Sequence, residues 1–145
     1  SGKTHLMFLD DDMTFEPEVL PLMLKRHQHI VVTNYLMKSD PASSAKFVAC
    51  NLNGEECVTS EKSTGIEPVA FSGFGVSLIH TDVFKALPQP WFAPSFVPER
   101  DEYTTEDVPF YHAARQAGFP VFLDHDASKL IKHIGRKIWS WDERK

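Results

Sequence analysis

The stretch HLMFLDDDMTFEPEV, His5 to Val19, sets three consecutive aspartates at the end of an apolar run. Adjacent carboxylates repel one another and a core does not take them unpaired, so the arrangement expects a positive partner. In an extended backbone alternate side chains share a face, which points Asp10 and Asp12 one way and Asp11 the other. A convergent carboxylate pair with no basic neighbour in sequence suits a hard divalent cation, Mg²⁺ or Mn²⁺, and in open α/β sheets ligands gather at the carboxyl ends of strands. The competing role is a solvated loop that caps the helix after it, and the triplet alone does not separate the two.

A second carboxylate pair, Glu106-Asp107, opens an apolar-periodic segment in TTEDVPFYHAARQAGF. At the first turn of a helix the macrodipole keeps a carboxylate ionised, and an ionised carboxylate accepts a proton. Thr104 and Asp107 also satisfy a capping box, which is a purely structural role. Trp91 and Phe92 lie in a long proline-rich loop, where flat aromatic faces suit either stacking on a sugar or anchoring the loop to the core. Arg136 and Lys137 have the chemistry to reach phosphate oxygens, although paired basic residues near an element's end are commonly just solvated. The histidines taken singly, His27 and His29 among them, read as surface or satisfied core residues and not as ligands.

The elements that must position these groups follow from the apolar pattern. Residues 5 to 9 form a continuous apolar run, the mark of a strand covered on both faces, and Pro17-Glu18 opens a helix through Leu24. A second run, HIVVTNYLM (29 to 37), completes a strand, helix and strand of the length that makes a parallel crossover. Asn53-Gly54 between two short runs predicts a hairpin with a two-residue turn, which would set Cys50 opposite Cys57 as neighbouring free thiols. Beyond it come a glycine-rich SGFG, a strand, a short helix opened by Thr81-Asp82, the long loop, the helix from residue 104 to Gly118, the strand PVFLD and a last apolar run, KLIKHIG. The predicted class is α/β, with a mostly parallel, Rossmann-like sheet, flanking helices and a hairpin insertion.

The chain has 145 residues, 42% hydrophobic and 24% charged, which fits a single globular domain over residues 1–145. A net charge of −5 with basic residues only in short pairs argues against nucleic acid as a partner. No apolar run approaches a membrane span, and two cysteines make no disulfide framework, so a cytoplasmic setting is expected.

The order FLDDDM, GFGVSLIHTDVF, PWF, TTEDVPFYHAARQAGFPVFLD, HIG resembles the family-2-like glycosyltransferases of the GT-A fold. The resemblance implies a hexosyltransferase-type enzyme that moves a sugar from a nucleotide-diphosphate donor to a hydroxyl acceptor, with inversion. It implies that Asp10 and Asp12 hold Mn²⁺ or Mg²⁺, that His133 completes the metal site, and that Asp107 is the base. Gly73 and Gly75 would line the donor and acceptor side and allow close backbone approach. Asp11, Glu106, Trp91, Phe92, Arg136 and Lys137 would join them in binding donor and acceptor. The family's N-terminal nucleotide-binding strands have no counterpart before His5, so the domain is expected to be incomplete, with a missing N-terminal half or a second copy supplying the rest, and weak or inactive by itself. Other readings are a non-catalytic module that binds sugar or protein, and a metal-dependent phosphoester hydrolase.

Overall fold

The computed structural model describes residues 2–39, 44–99, 101–135 and 138–142. In chain order the elements are β1 (His5–Leu9), β2 (Met13–Phe15), α1 (Val19–Leu24), β3 (Ile30–Val32), β4 (Ile66–Val69), β5 (Val76–His80) and α2 (Thr81–Ala86). They continue with β6 (Phe96–Val97), β7 (Glu102–Tyr103), α3 (Asp107–Gln116), β8 (Val121–Asp124), α4 (His125–Ser128), β9 (Ile131–Ile134) and β10 (Ile138–Trp139). A five-stranded sheet has the order β1-β5-β3-β8-β4, and a three-stranded sheet the order β10-β9-β2. Among the described residues no helix is long and apolar enough to cross a membrane.

The expected parallel sheet is not what forms. β5 pairs antiparallel with both β1 and β3, β4 pairs antiparallel with β8, and among the described residues only β3 and β8 run parallel side by side. The class is α+β, with a mixed, mostly antiparallel sheet and few, short helices, the longest of ten residues. The error has a physical origin. A continuous apolar run reports burial on both faces and says nothing about strand direction. β1 and β3 do point the same way, as a crossover requires, but β5 sits between them, so the segment joining them is not a crossover between neighbours. β1 also proves to be an edge strand, with Leu6 and Leu9 46% and 44% exposed, where its apolar run predicts cover on both faces.

Alternation along the central strands divides the core in two. Ile30 and Val32 join Phe74, Ile79, Phe110, Tyr111 and Leu123 on one face of the sheet. Val31, Val76 and Leu78 join Met13, Val19, Met23, Tyr35 and Ile131 on the other. Strand β3 stops after three residues although the apolar run continues to Met37. The reason is the buried Asn34, whose backbone N–H donates to Ser128 Oγ and whose side chain donates to the Cys57 carbonyl at 2.8 Å and accepts from the Ala49 amide at 3.1 Å. A residue committed to that many partners off the ladder ends the strand and turns the chain toward Tyr35.

The hairpin also differs by one residue. Cys50 is bridged to Glu56, and Cys57 donates its backbone N–H to Ala49, so the turn holds three residues with Gly54 at φ 85°. Asn51 Oδ1 accepts from the amides of Asn53 and Glu55, and that local bond selects the longer turn. Both cysteines are free thiols.

Asn34 yields the first prediction. Asn34→Ala removes the partners of a buried amide and a buried carbonyl, at about 1–3 kcal/mol for each stranded group, so a total near 3 kcal/mol is expected. Urea unfolding measures it, and an unchanged midpoint would show that these groups find other partners.

Candidate functional site

The chain leaves β1 through a tight turn in which Met13 donates its backbone N–H to the Asp10 carbonyl at 3.2 Å. Asp10 itself donates its backbone N–H to the Gly75 carbonyl at 3.0 Å, which fixes the aspartate run to the start of β5. Asp11 is exposed at the turn. β2 then pairs with β9 in a register that sets Met13 opposite His133, and the Ile134 amide donates to the Asp12 carbonyl at 2.7 Å. Two residues 121 positions apart in sequence thereby become neighbours: His133 Nε2 lies 3.3 Å from Asp12 Oδ2.

The other ring nitrogen decides what this contact is. His133 Nδ1 lies 2.9 Å from the Leu36 carbonyl, which only accepts, so Nδ1 is the donor. In the neutral ring Nε2 then carries the lone pair, and it faces a carboxylate oxygen. Two electron-pair donors held about 3 Å apart are one edge of an octahedral Mn²⁺ or Mg²⁺ shell with bonds near 2.1 Å, and a ring fixed by a backbone carbonyl is the usual support for a metal-ligating histidine. The residues fit such an ion. Asp10 stands farther off, since Asp10, Asp12 and His133 do not close to within 4.8 Å of one another as arranged. The Lys38 ammonium holds the cation position on Asp12 Oδ2.

Charge separates the carboxylates. The Lys38 hydrogen bond lowers the Asp12 pKa and keeps it ionised. Burial and the Asp12 charge raise Asp10, with Glu106 adding to the repulsion. Burial also raises Asp107, against hydrogen bonds from Thr105 Oγ1 and the Val108 amide. Tyr35 lies among all of them: burial raises its hydroxyl first, and Asp10, Asp107 and Asp12 each add to the shift. The capping box does not form, because Thr104 Oγ1 is bonded to Ser95 and the helix cap, Glu106, makes no side-chain cap bond.

Gly73 and Gly75 do provide close approach, and what approaches is Tyr35. A Cβ on Gly73 would lie 2.1 Å from the Tyr35 hydroxyl, and one on Gly75 2.6 Å from the ring. The Gly75 amide donates to that hydroxyl at 3.1 Å, and the ring meets His133 edge-on at 5.3 Å. Trp91 and Phe92 act as loop anchors. Trp91 Nε1 donates to the Leu87 carbonyl and its ring meets Phe84, while Phe92 packs on Phe8, Phe74 and Phe110. Arg136 and Lys137 lie outside the described residues. Sequence reasoning missed Tyr35 and Lys38; their trace there was a tyrosine within the apolar run of residues 29 to 37 and a lysine just past it.

No protein-family model matches the chain, and no curated protein matches it. Among solved structures, the crystal structure of A197 from STIV is similar, with a TM-score of 0.56 and 16% identity over 94% of this chain and 65% of that one. At that identity the likeness concerns the fold alone, and the chain spans 65% of the length of that protein. With no family match and a sheet that is mostly antiparallel, the resemblance to the GT-A, family-2-like glycosyltransferases is not upheld.

Two outcomes test the site. In Mn²⁺ titrations Asp12→Ala and His133→Ala should each weaken binding at least about tenfold, whereas Lys38→Met should tighten it by removing the competing ammonium; equal affinities in all four proteins would dismiss the metal site. Gly73→Ala should destabilise the fold by about 1–3 kcal/mol through overpacking, with part of the loss recovered in a Tyr35→Phe background. Additive effects in that cycle would contradict the Tyr35 contact.

Proposed function

We propose that the chain is a metal-dependent transferase that moves a sugar from a nucleotide-diphosphate donor to a hydroxyl acceptor. The observation that carries the reading is the division of labour among its carboxylates. Asp12, held ionised beside a histidine of fixed tautomer, suits a cation, and Asp107, held above the ordinary carboxylate range near the same tyrosine, suits a proton. When bound, Mn²⁺ or Mg²⁺ would neutralise the charge that develops on a diphosphate leaving group.

The chain's own residues do the rest. Asp107 takes the acceptor's hydroxyl proton as that oxygen bonds to the sugar and the sugar's bond to the diphosphate oxygen breaks, giving single displacement with inversion. Thr105 and the Val108 amide orient its carboxylate by donating to it. Asp12 and His133 would hold the cation, and Lys38, now paired with Asp12, would supply a second positive charge for the diphosphate. Trp91 and Phe92, fixed in the aromatic core, hold the loop that leads toward α3. A cytoplasmic setting belongs to the same proposal, in keeping with two free thiols.

The sign of the Asp107 shift makes the proposal sharp. A folded-state pKa raised above the unfolded value means that the fold favours the proton, so this contribution to stability is present at low pH and is lost as pH rises through the raised value. At pH 7 the ionised carboxylate therefore costs stability, and Asp107→Asn should melt at or above the wild-type temperature while Mn²⁺-dependent transfer falls by roughly 10²-fold or more. The wild-type rate should also fall as pH drops through that same raised value. Near-normal transfer by Asp107→Asn would leave this residue a helix-start role only. Turnover of simple phosphoesters would favour a hydrolase, and donor binding without turnover a non-catalytic module.

A further inference from the structure

At the opposite end of β1 and β5 from the aspartate turn, three histidines stand in one row across the sheet. His5 on β1 is in register with His80 on β5, and the His80 backbone N–H donates to the His29 carbonyl at 2.7 Å, just ahead of β3. Their rings lie on the same side: His80 meets His5 edge-on at 4.8 Å and His29 at 5.3 Å. One turn on, Asp82 directs Oδ2 to within 3.4 Å of His80 Nδ1. Among the described residues, His29, His80 and Asp82 form a group whose ligand atoms all lie within 4.8 Å of one another. An open cleft of about 280 Å³, lined by His5, Leu24, His27, Gln28, His29 and His80, gives access.

We propose that His29, His80 and Asp82 form a site for a borderline transition-metal ion of the zinc class, separate from the Asp12–His133 site. Two imidazoles and one carboxylate are the ligand set that Zn²⁺ takes with a water or a further histidine in the fourth position, whereas oxygen-seeking Mg²⁺ and Mn²⁺ prefer the aspartate turn. Bonds of 2.0–2.1 Å imply tetrahedral edges of about 3.3 Å, close to the His80–Asp82 contact, so closure falls mainly to the exposed His29, whose ring now meets Phe119 edge-on at 5.1 Å. The other Asp82 oxygen already accepts from Lys85 Nζ at 2.7 Å, which steadies the carboxylate as an outer partner would. The Asp82 amide donates to His80 Nδ1 at 3.2 Å; it is exposed, and water replaces that bond when a cation takes the lone pair. The ion would tie the end of β5 and the start of α2 to the approach to β3.

The test is a calorimetric titration of Zn²⁺ into the full chain carrying Asp12→Ala, which silences the first site. One equivalent should bind, and adding His29→Ala or Asp82→Asn should weaken it at least about tenfold, as loss of a direct ligand does. Zn²⁺ should also raise the melting temperature of the Asp12→Ala chain and leave that of the His29→Ala double variant unmoved, because only a ligand that binds the folded state shifts the transition. Absence of Zn²⁺ binding, or affinities unchanged by either substitution, would overturn the proposal. Both substituted side chains are exposed, and melting without metal verifies that each variant folds.

Discussion

The position of β5, antiparallel between β1 and β3, is the constraint on which the rest of the molecule depends. Its carbonyls and amides close the ladder on both sides, and beyond its first residue the Gly75 carbonyl takes the Asp10 amide while the Val76 carbonyl takes Thr33. Those bonds set the end of β1 and the end of β3 on either side of the start of β5, and the aspartate turn and Tyr35 issue from them. The same strand carries His80 at its other end, so one antiparallel insertion creates both clusters of polar side chains. Its four residues from Val76 to Ile79 are at most 2% exposed, a burial that fixes the strand's place firmly enough to hold both ends.

Around that strand, small residues and buried polar groups set where the larger side chains go. Gly73 and Gly75 are the space into which Tyr35 fits, and a methyl group at either would push the ring toward His133. Asn34 ends β3 and bends the chain so that Tyr35 and Leu36 reach the site, the one with its ring and the other with the carbonyl that fixes the His133 tautomer. On the far side, Arg26 makes a bidentate bond to the fully buried Asp124, which also caps α4, so the segment leading to β9 is held at its start.

The electrostatics of the site come from unequal burial and unequal company. Three aspartates of one intrinsic chemistry are driven apart because Asp12 meets an ammonium, while Asp10 and Asp107 meet apolar surroundings and each other's kind. This is how one cluster of carboxylates can serve both a cation and a proton. It also means that the aspartate run is not isolated charge: the positive partner it demands is a lysine from the far end of an apolar run.

By itself the sequence determined the chemistry-bearing residue types and several of the elements that carry them: an apolar strand ending in Asp10-Asp11-Asp12, a helix beginning near Asp107, and a last apolar strand with His133 in it. Local pattern suffices there, because burial periodicity and turn chemistry act over a few residues. Only the tertiary structure decided strand direction, the one-residue shift of the hairpin, the loop-anchoring role of Trp91 and Phe92, and which groups meet. Direction is invisible to an apolar run that is buried either way, and the hairpin register turned on one Asn51 side-chain bond. Lys38 on Asp12, Leu36 on His133, Tyr35 over Gly73 and Gly75, and His29 beside His80 are contacts between residues 26 to 97 positions apart, and the physical reason they were hidden is that long-range pairing is set by how strands stack and not by the residues next to them.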